Sequence, residues 1–125
     1  MKTTNFIFAM VLAIATSVGC TSQENGSVQL LTPEEAKTAM AEEENLILVD
    51  VRTPQEFAGG SIEGAENIDY FDKDFKRKFS KFDKDEPIYI ICQSGNRSGK
   101  AGRILLEMGF QEIYDIKGGF LGWED

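Results

Sequence analysis

The 125-residue sequence contains no histidine. That removes Cys–His and Ser–His–Asp catalysis within the chain, and imidazole-ligated metal centres with them. Positive charge is scarce: 13 lysines and arginines stand against 21 acidic residues, for a net charge of -8. Non-specific nucleic-acid binding needs a basic face, so nucleic acid is excluded as a partner and the acidic surface reads as a solubility feature. No apolar run is long enough to span a bilayer. The run Phe6 to Ala15 is roughly half of the ~20 residues that a spanning helix needs. Cysteine occurs only at positions 20 and 92, and no internal repeat is visible. What remains is ordinary: 42% hydrophobic and 27% charged residues, which at this length indicate one globular domain.

Residues 1–19 read as a secretory signal peptide, with Lys2 as their only charge, a short apolar run, and small residues leading to Cys20. The cysteine directly after Ser17, Val18 and Gly19 resembles the lipobox of bacterial lipoproteins, with Ser17 where that family usually has leucine. The resemblance implies cleavage before Cys20 and acylation of its thiol. The protein would then sit in the bacterial cell envelope, facing the periplasm or exterior and touching the membrane through its lipid anchor only. The alternative is an ordinary signal peptide with an incidental cysteine. Residues 20–27 hold the lipidated cysteine and a polar, flexible tether, and residues 28–125 form the domain. With Cys20 acylated, Cys92 has no partner for an intrachain disulfide. A lone thiol in a non-reducing compartment is an oxidation liability, more easily understood if it has chemical work to do.

Along the domain, strands and helices alternate. Val28 to Leu31 reads as a strand, and Thr32-Pro33-Glu34-Glu35 as a capping box that opens a helix ending near Glu42 to Glu44. Leu46 to Val51, LILVDV, is apolar except for Asp50, as expected of a strand buried on both faces. Thr53-Pro54-Gln55-Glu56 is a second capping box, and Ala65 to Ile68 a brief strand. The spacing of Phe75, Phe79 and Phe82 predicts an amphipathic helix over Asp72 to Phe82. Ile88 to Ile91 is another buried strand. Ala101, Ile104, Leu105 and Met108 mark a helix from Ser98 to a stop at Gly109. Gln111 to Ile116 is the last strand, and GGFLGWED a short terminal helix. The pattern predicts an α/β fold, a central parallel sheet of about five strands with helices on both faces. Ligands of such sheets bind beyond the carboxyl ends of the strands, where Cys92 stands.

Two tempting motifs fail. Gly95 to Ala101 has three residues between its glycines instead of the four of a phosphate-binding loop, and Ala101 lacks the magnesium-holding hydroxyl. Asp72/Asp74 and Asp83/Asp85 lack the central glycine and distal ligands of a calcium loop, and read as a solvated helix end and a turn. No metal and no cofactor is expected. The segment Cys92-Gln93-Ser94-Gly95-Asn96-Arg97 is different. A short loop of small residues before a helix can turn its N–H groups inward as an anion-attracting nest. A thiol at its centre is favoured as the nucleophilic thiolate, and Arg97 adds a cation able to bind an oxyanion. The bland reading is a buried cysteine that ends a strand.

CQSGNRS resembles the active-site loop of the rhodanese family of sulfurtransferases. Asp50-Val51-Arg52-Thr53-Pro54-Gln55-Glu56-Phe57, Gly60-Ser61-Ile62-Glu63-Gly64-Ala65-Glu66-Asn67-Ile68, and Gly118-Gly119-Phe120 with Trp123 are similar to further family segments in the same order. Ser61 departs from a common family histidine. The resemblance implies a single-domain rhodanese with Cys92 as the persulfide-carrying nucleophile. Gln93, Ser94, Gly95, Asn96, Arg97 and Ser98 would form the substrate-binding loop, Arg97 helping to bind a small anionic donor such as thiosulfate. The acceptor would be cyanide or a thiol, including a protein thiol. Four residues between cysteine and arginine make a loop shorter than that of related phosphatases and suit one sulfur atom better than a phosphate. Arg52 and Glu56, at i and i+4, are expected to form a structural ion pair. The alternative function is a non-catalytic rhodanese-like module that binds a partner or senses persulfide.

Overall fold

Two apolar runs, Ile47–Asp50 (β2) and Ile88–Ile91 (β4), lie side by side at the centre of a parallel sheet, because neither has a polar face to offer water. The computed structural model describes residues 26–123. The signal peptide, Cys20 and most of the proposed tether lie outside the described residues. Ser27–Leu31 (β1), Glu66–Asn67 (β3) and Glu112–Ile116 (β5) complete the sheet, in the order β1-β5-β4-β2-β3 with every pairing parallel.

Side chains alternate across this sheet. Val49, Ile88, Ile90, Cys92 and Ile113 point to one face, under Phe75–Phe79 (α3) and Asn96–Glu107 (α4). Leu48, Tyr89, Ile91 and Ile116 point to the other, against Pro33–Glu42 (α1) and Gly119–Trp123 (α5). Helices therefore cover both faces, as expected. Both capping boxes form, Thr32 with Glu35 at α1 and Thr53 with Glu56 at Pro54–Ala58 (α2).

The helix expected over Asp72 to Phe82 is cut to five residues, Phe75–Phe79. Asp72 accepts the Asp74 N–H on its side chain at 2.8 Å, which favours a turn over a helical start. The hydroxyl of Ser80 takes the Arg77 carbonyl and ends the helix early. The phenylalanine spacing was a packing signal: Phe75, Phe79 and Phe82 still pack ring against ring in succession, tilted and then edge-on, with centroids 4.6 and 5.8 Å apart.

The strand order positions the site. From β2 the chain moves outward to β3; from β4 it moves the opposite way, to β5. The connections leaving neighbouring β2 and β4 thus part company at their carboxyl ends, and the crevice between them is where this class of sheet binds ligands. Arg52 follows β2 into that crevice and Cys92 follows β4.

Candidate active site

The turn from β4 into α4 is short, and Gly95 makes it possible. It adopts φ 102°, a left-handed conformation that side chains disfavour. The helix begins at Asn96, two residues before the expected Ser98, so Ser98 lies within its first turn. Gly95 caps α4 without a side-chain hydrogen bond. The first-turn N–H groups therefore keep their donor capacity, at the positive end of a 12-residue helix.

Cys92 sits at the base of this turn and is 1% exposed. Its Sγ accepts the Gly95 N–H at 3.0 Å and lies 3.3 Å from the Ser98 hydroxyl. The Ser98 hydroxyl also donates to the Gly95 carbonyl at 3.2 Å. Gln93 is half-buried, Ser94 and Asn96 are exposed, and Ser98 is buried. The carbonyls of Cys92 and Gln93 are taken by α5, from the N–H groups of Phe120 at 2.7 Å and Leu121 at 3.1 Å. Gly119 is required for that approach: a Cβ there would meet the Cys92 carbonyl oxygen and the Gln93 backbone at 2.5 Å. The Cys92 loop is thus shaped by the terminal helix as well as by its own glycine.

Arg97 does not stand free. Its two terminal nitrogens donate to Glu56 Oε1 and Oε2 at 2.7 and 2.8 Å, a bidentate pair that neutralises the loop's cation. Its guanidinium lies 5.9 Å from the exposed Phe71 ring. The pair holds the Glu56 carboxyl down at about 2, chiefly through the Arg97 hydrogen bond. It holds Arg97 above its ordinary value through the same bond. Glu56 is aimed by its capping box, whose Thr53 N–H and hydroxyl also donate to Oε1.

The expected Arg52–Glu56 pair is not formed. Arg52 is buried and pairs with Asp50, with Nη2 at 2.7 Å from Oδ2 and Nε at 3.0 Å from both oxygens. The same guanidinium donates to the Gly60 carbonyl at 2.7 Å and to Gln93 Oε1 at 3.2 Å, and lies 4.1 Å from the Phe120 ring centroid. The i, i+4 spacing failed because the chain turns sharply after β2, pointing Arg52 back beneath the active loop. Sequence reasoning missed this hub. The one visible signal was Asp50, a charge inside an apolar strand, which must find a partner when buried.

Arg52, Glu56, Gln93, Phe120 and Leu121 line a shallow open groove beside the loop. Among the described residues no cluster of potential metal ligands occurs. The arrangement can hold a sulfur nucleophile against backbone donors, in a mouth where both guanidinium groups are already paired with carboxylates.

Residues 32–125 match the model of the rhodanese-like domain family. The uncharacterized protein YqhL of Bacillus subtilis is 40% identical over 96 residues, covering 77% of this chain and 72% of that protein. A thiosulfate sulfurtransferase of Pseudomonas putida is 37% identical over 92 residues, covering 73% of this chain and 81% of its own. Among solved structures, a rhodanese-like domain protein of Staphylococcus aureus superposes with a TM-score of 0.70 at 32% identity, covering 78% of this chain and 92% of its own. With its sheet order, its loop cysteine and these relatives, the chain belongs to the rhodanese-like domain family as a single-domain member.

Proposed function

We propose that the protein is a sulfurtransferase that carries a sulfane sulfur on Cys92. The carrying observation is the seat of the sulfur: Cys92 Sγ accepts the Gly95 N–H at 3.0 Å at the N-terminus of α4, where a negative sulfur is stabilised. The relative in Pseudomonas putida, named a thiosulfate sulfurtransferase, supports thiosulfate as donor.

The reaction is a double displacement. The Cys92 thiolate attacks the outer sulfur of thiosulfate. The donor S–S bond breaks, sulfite leaves with the bonding pair, and Cys92 becomes a persulfide. Cyanide or a thiolate then attacks that outer sulfur, the Cys92 thiolate leaves with the pair, and thiocyanate or a new persulfide departs. With cyanide no side chain has to move a proton, in keeping with a chain that has no histidine. Backbone N–H groups of Gln93, Ser94, Gly95, Asn96, Arg97 and Ser98 would hold the terminal sulfur. Arg97, paired with Glu56, fixes the loop to α2 and contributes to donor binding only through what that pair leaves free.

Thiosulfate and cyanide supplied to the purified protein should yield thiocyanate with ping-pong kinetics, and Cys92→Ser should abolish it. Mass spectrometry after thiosulfate alone should find one added sulfur atom. An unchanged mass would sink the persulfide route.

A second reading, a docking or persulfide-sensing module without turnover, is favoured by the 1% exposure of Cys92 and the neutralised cation at its mouth. Stable persulfide formation without thiocyanate release from any acceptor would select it. We further propose that Cys20 anchors the protein in the bacterial envelope. Cys20→Ala should then move it from the membrane fraction to the soluble one, and an unchanged distribution removes the anchor.

A further inference from the structure

Beneath the loop lies a titratable group that sulfur transfer does not use. Asp115 stands near the carboxyl end of β5, paired with Ile90 of β4 and Leu30 of β1. Alternation along β5 puts its side chain on the Ile113 face, under α4. It is 3% exposed, and its Oδ1 has no hydrogen-bond partner among the described residues. Its Oδ2 would lie 3.7 Å from a Cβ at Gly99, in the first turn of α4.

The surroundings bring no cation to it. On α4, Arg97 is committed to Glu56, while Lys100 and Arg103 are exposed. Lys117, just past β5, is exposed as well. β1 offers Val28 and Leu30, and β4 offers Ile90 and, at its end, Cys92. None of the ion pairs among the described residues includes Asp115. Burial therefore pushes its carboxyl above the ordinary value, opposed only by the Ser98 hydroxyl.

Ser98 connects this group to the sulfur. A hydroxyl carries one hydrogen. Two acceptors stand beside that of Ser98, the Gly95 carbonyl at 3.2 Å and the Cys92 sulfur at 3.3 Å once it is a thiolate; the Asp115 carboxylate, whose Oδ2 lies close under Gly99, the next residue in the chain, is a third when it is ionised. We propose that Asp115 is a positioning residue for Cys92 that acts through Ser98: protonated, it leaves the Ser98 hydrogen to the sulfur; ionised, it takes that hydrogen and places a negative charge beneath the loop. The proposal rests on Cys92 being the reacting sulfur. It gives the site a protonation switch buried beneath the nucleophile's loop.

The test follows alkylation of Cys92 by a small haloacetamide in the intact protein, from about pH 4, near the ordinary carboxylate value, upward. Wild type, Asp115→Asn, Ser98→Ala and the double variant are compared. At the acid end wild type and Asp115→Asn should react alike, since both carry a neutral group at 115. As pH rises, Asp115→Asn should become faster by about threefold to tenfold, the span of one neighbouring charge at up to one pKa unit. In the Ser98→Ala background the gap should narrow to what the through-space charge alone supplies. Coincident curves for wild type and Asp115→Asn overturn the proposal, and so does a gap that Ser98→Ala leaves intact. Asp115→Asn should stay folded, because it removes a carboxylate that is costly to bury. As Asp115 has a raised value in the fold, wild type should lose stability relative to the variant as pH rises above the ordinary carboxylate value. Thiocyanate release is recorded in parallel. Separated alkylation curves without turnover uphold the switch while removing the enzymatic reading.

Discussion

The two arginine–carboxylate pairs at this site do different work, and the difference lies in their depth and span. Asp50–Arg52 joins residues two apart, with side chains 0% and 2% exposed. Glu56–Arg97 joins residues 41 apart, with side chains 29% and 20% exposed. The first pair is sealed in the crevice and touches β2, the Gly60 turn, Gln93 and Phe120 together. A lone charge left there would have no water to turn to. The second pair is a strap at the rim that ties helix α2 to the Cys92 loop, where its partial exposure lets water replace either partner. One pair is a condition of the fold, the other a constraint on the loop.

Breaking the buried pair should have the largest effect. Asp50→Ala strands Arg52, and the expected loss is about 3–5 kcal/mol of stability, read from urea denaturation. A loss under about 1 kcal/mol would mean that Arg52 finds water, and that the two pairs differ less than their depth suggests.

Glu56→Gln should cost far less, about 1 kcal/mol after allowing for solvent at the rim. If the proposed reaction holds, its main effect belongs to function: kcat with thiosulfate should fall about tenfold as the loop loosens, with little change in KM. Tighter donor binding with kcat unchanged would instead recast Arg97 as a donor-binding cation that Glu56 restrains.

The smallest effect is in pH dependence. The Glu56 carboxyl is lowered from 4.5 to about 2, so its contribution is fully present above 4.5 and fades as pH falls through about 2. The stability gap between wild type and Glu56→Gln should therefore narrow only on acidification across that window. A gap that stays constant there would show that the strap, like the buried pair, owes little to solvent-exposed charge.

The same contrast marks what the sequence made legible. Local chemistry was readable: the capping boxes at Thr32 and Thr53, the doubly buried IYII strand, Gly95 before α4, and Cys92 at the strand's end. Each depends on neighbours within a few residues. Partners chosen by the tertiary fold were not. Spacing offered Arg52 to Glu56, but the fold gives Arg52 to Asp50 and gives Glu56 to an arginine 41 residues later. The phenylalanines foretold burial correctly and helix length wrongly, since Asp72 and Ser80 compete for backbone groups at its ends. Asp115 gave no sign at all. Like Glu112, the other acid in EIYDI, it looks like an outward residue of a strand, and only β5's place between β1 and β4 makes it interior.

The amides of Phe120 and Leu121 have a consequence for biogenesis. They emerge from the ribosome after every strand of the described sheet, yet they clasp the carbonyls of Cys92 and Gln93. Until they arrive, those two carbonyls lack the partners that hold the Cys92 turn against the terminal helix. The Cys92 turn is therefore completed only after the sheet, and a nascent chain halted before Gly119 would carry that turn without its clasp.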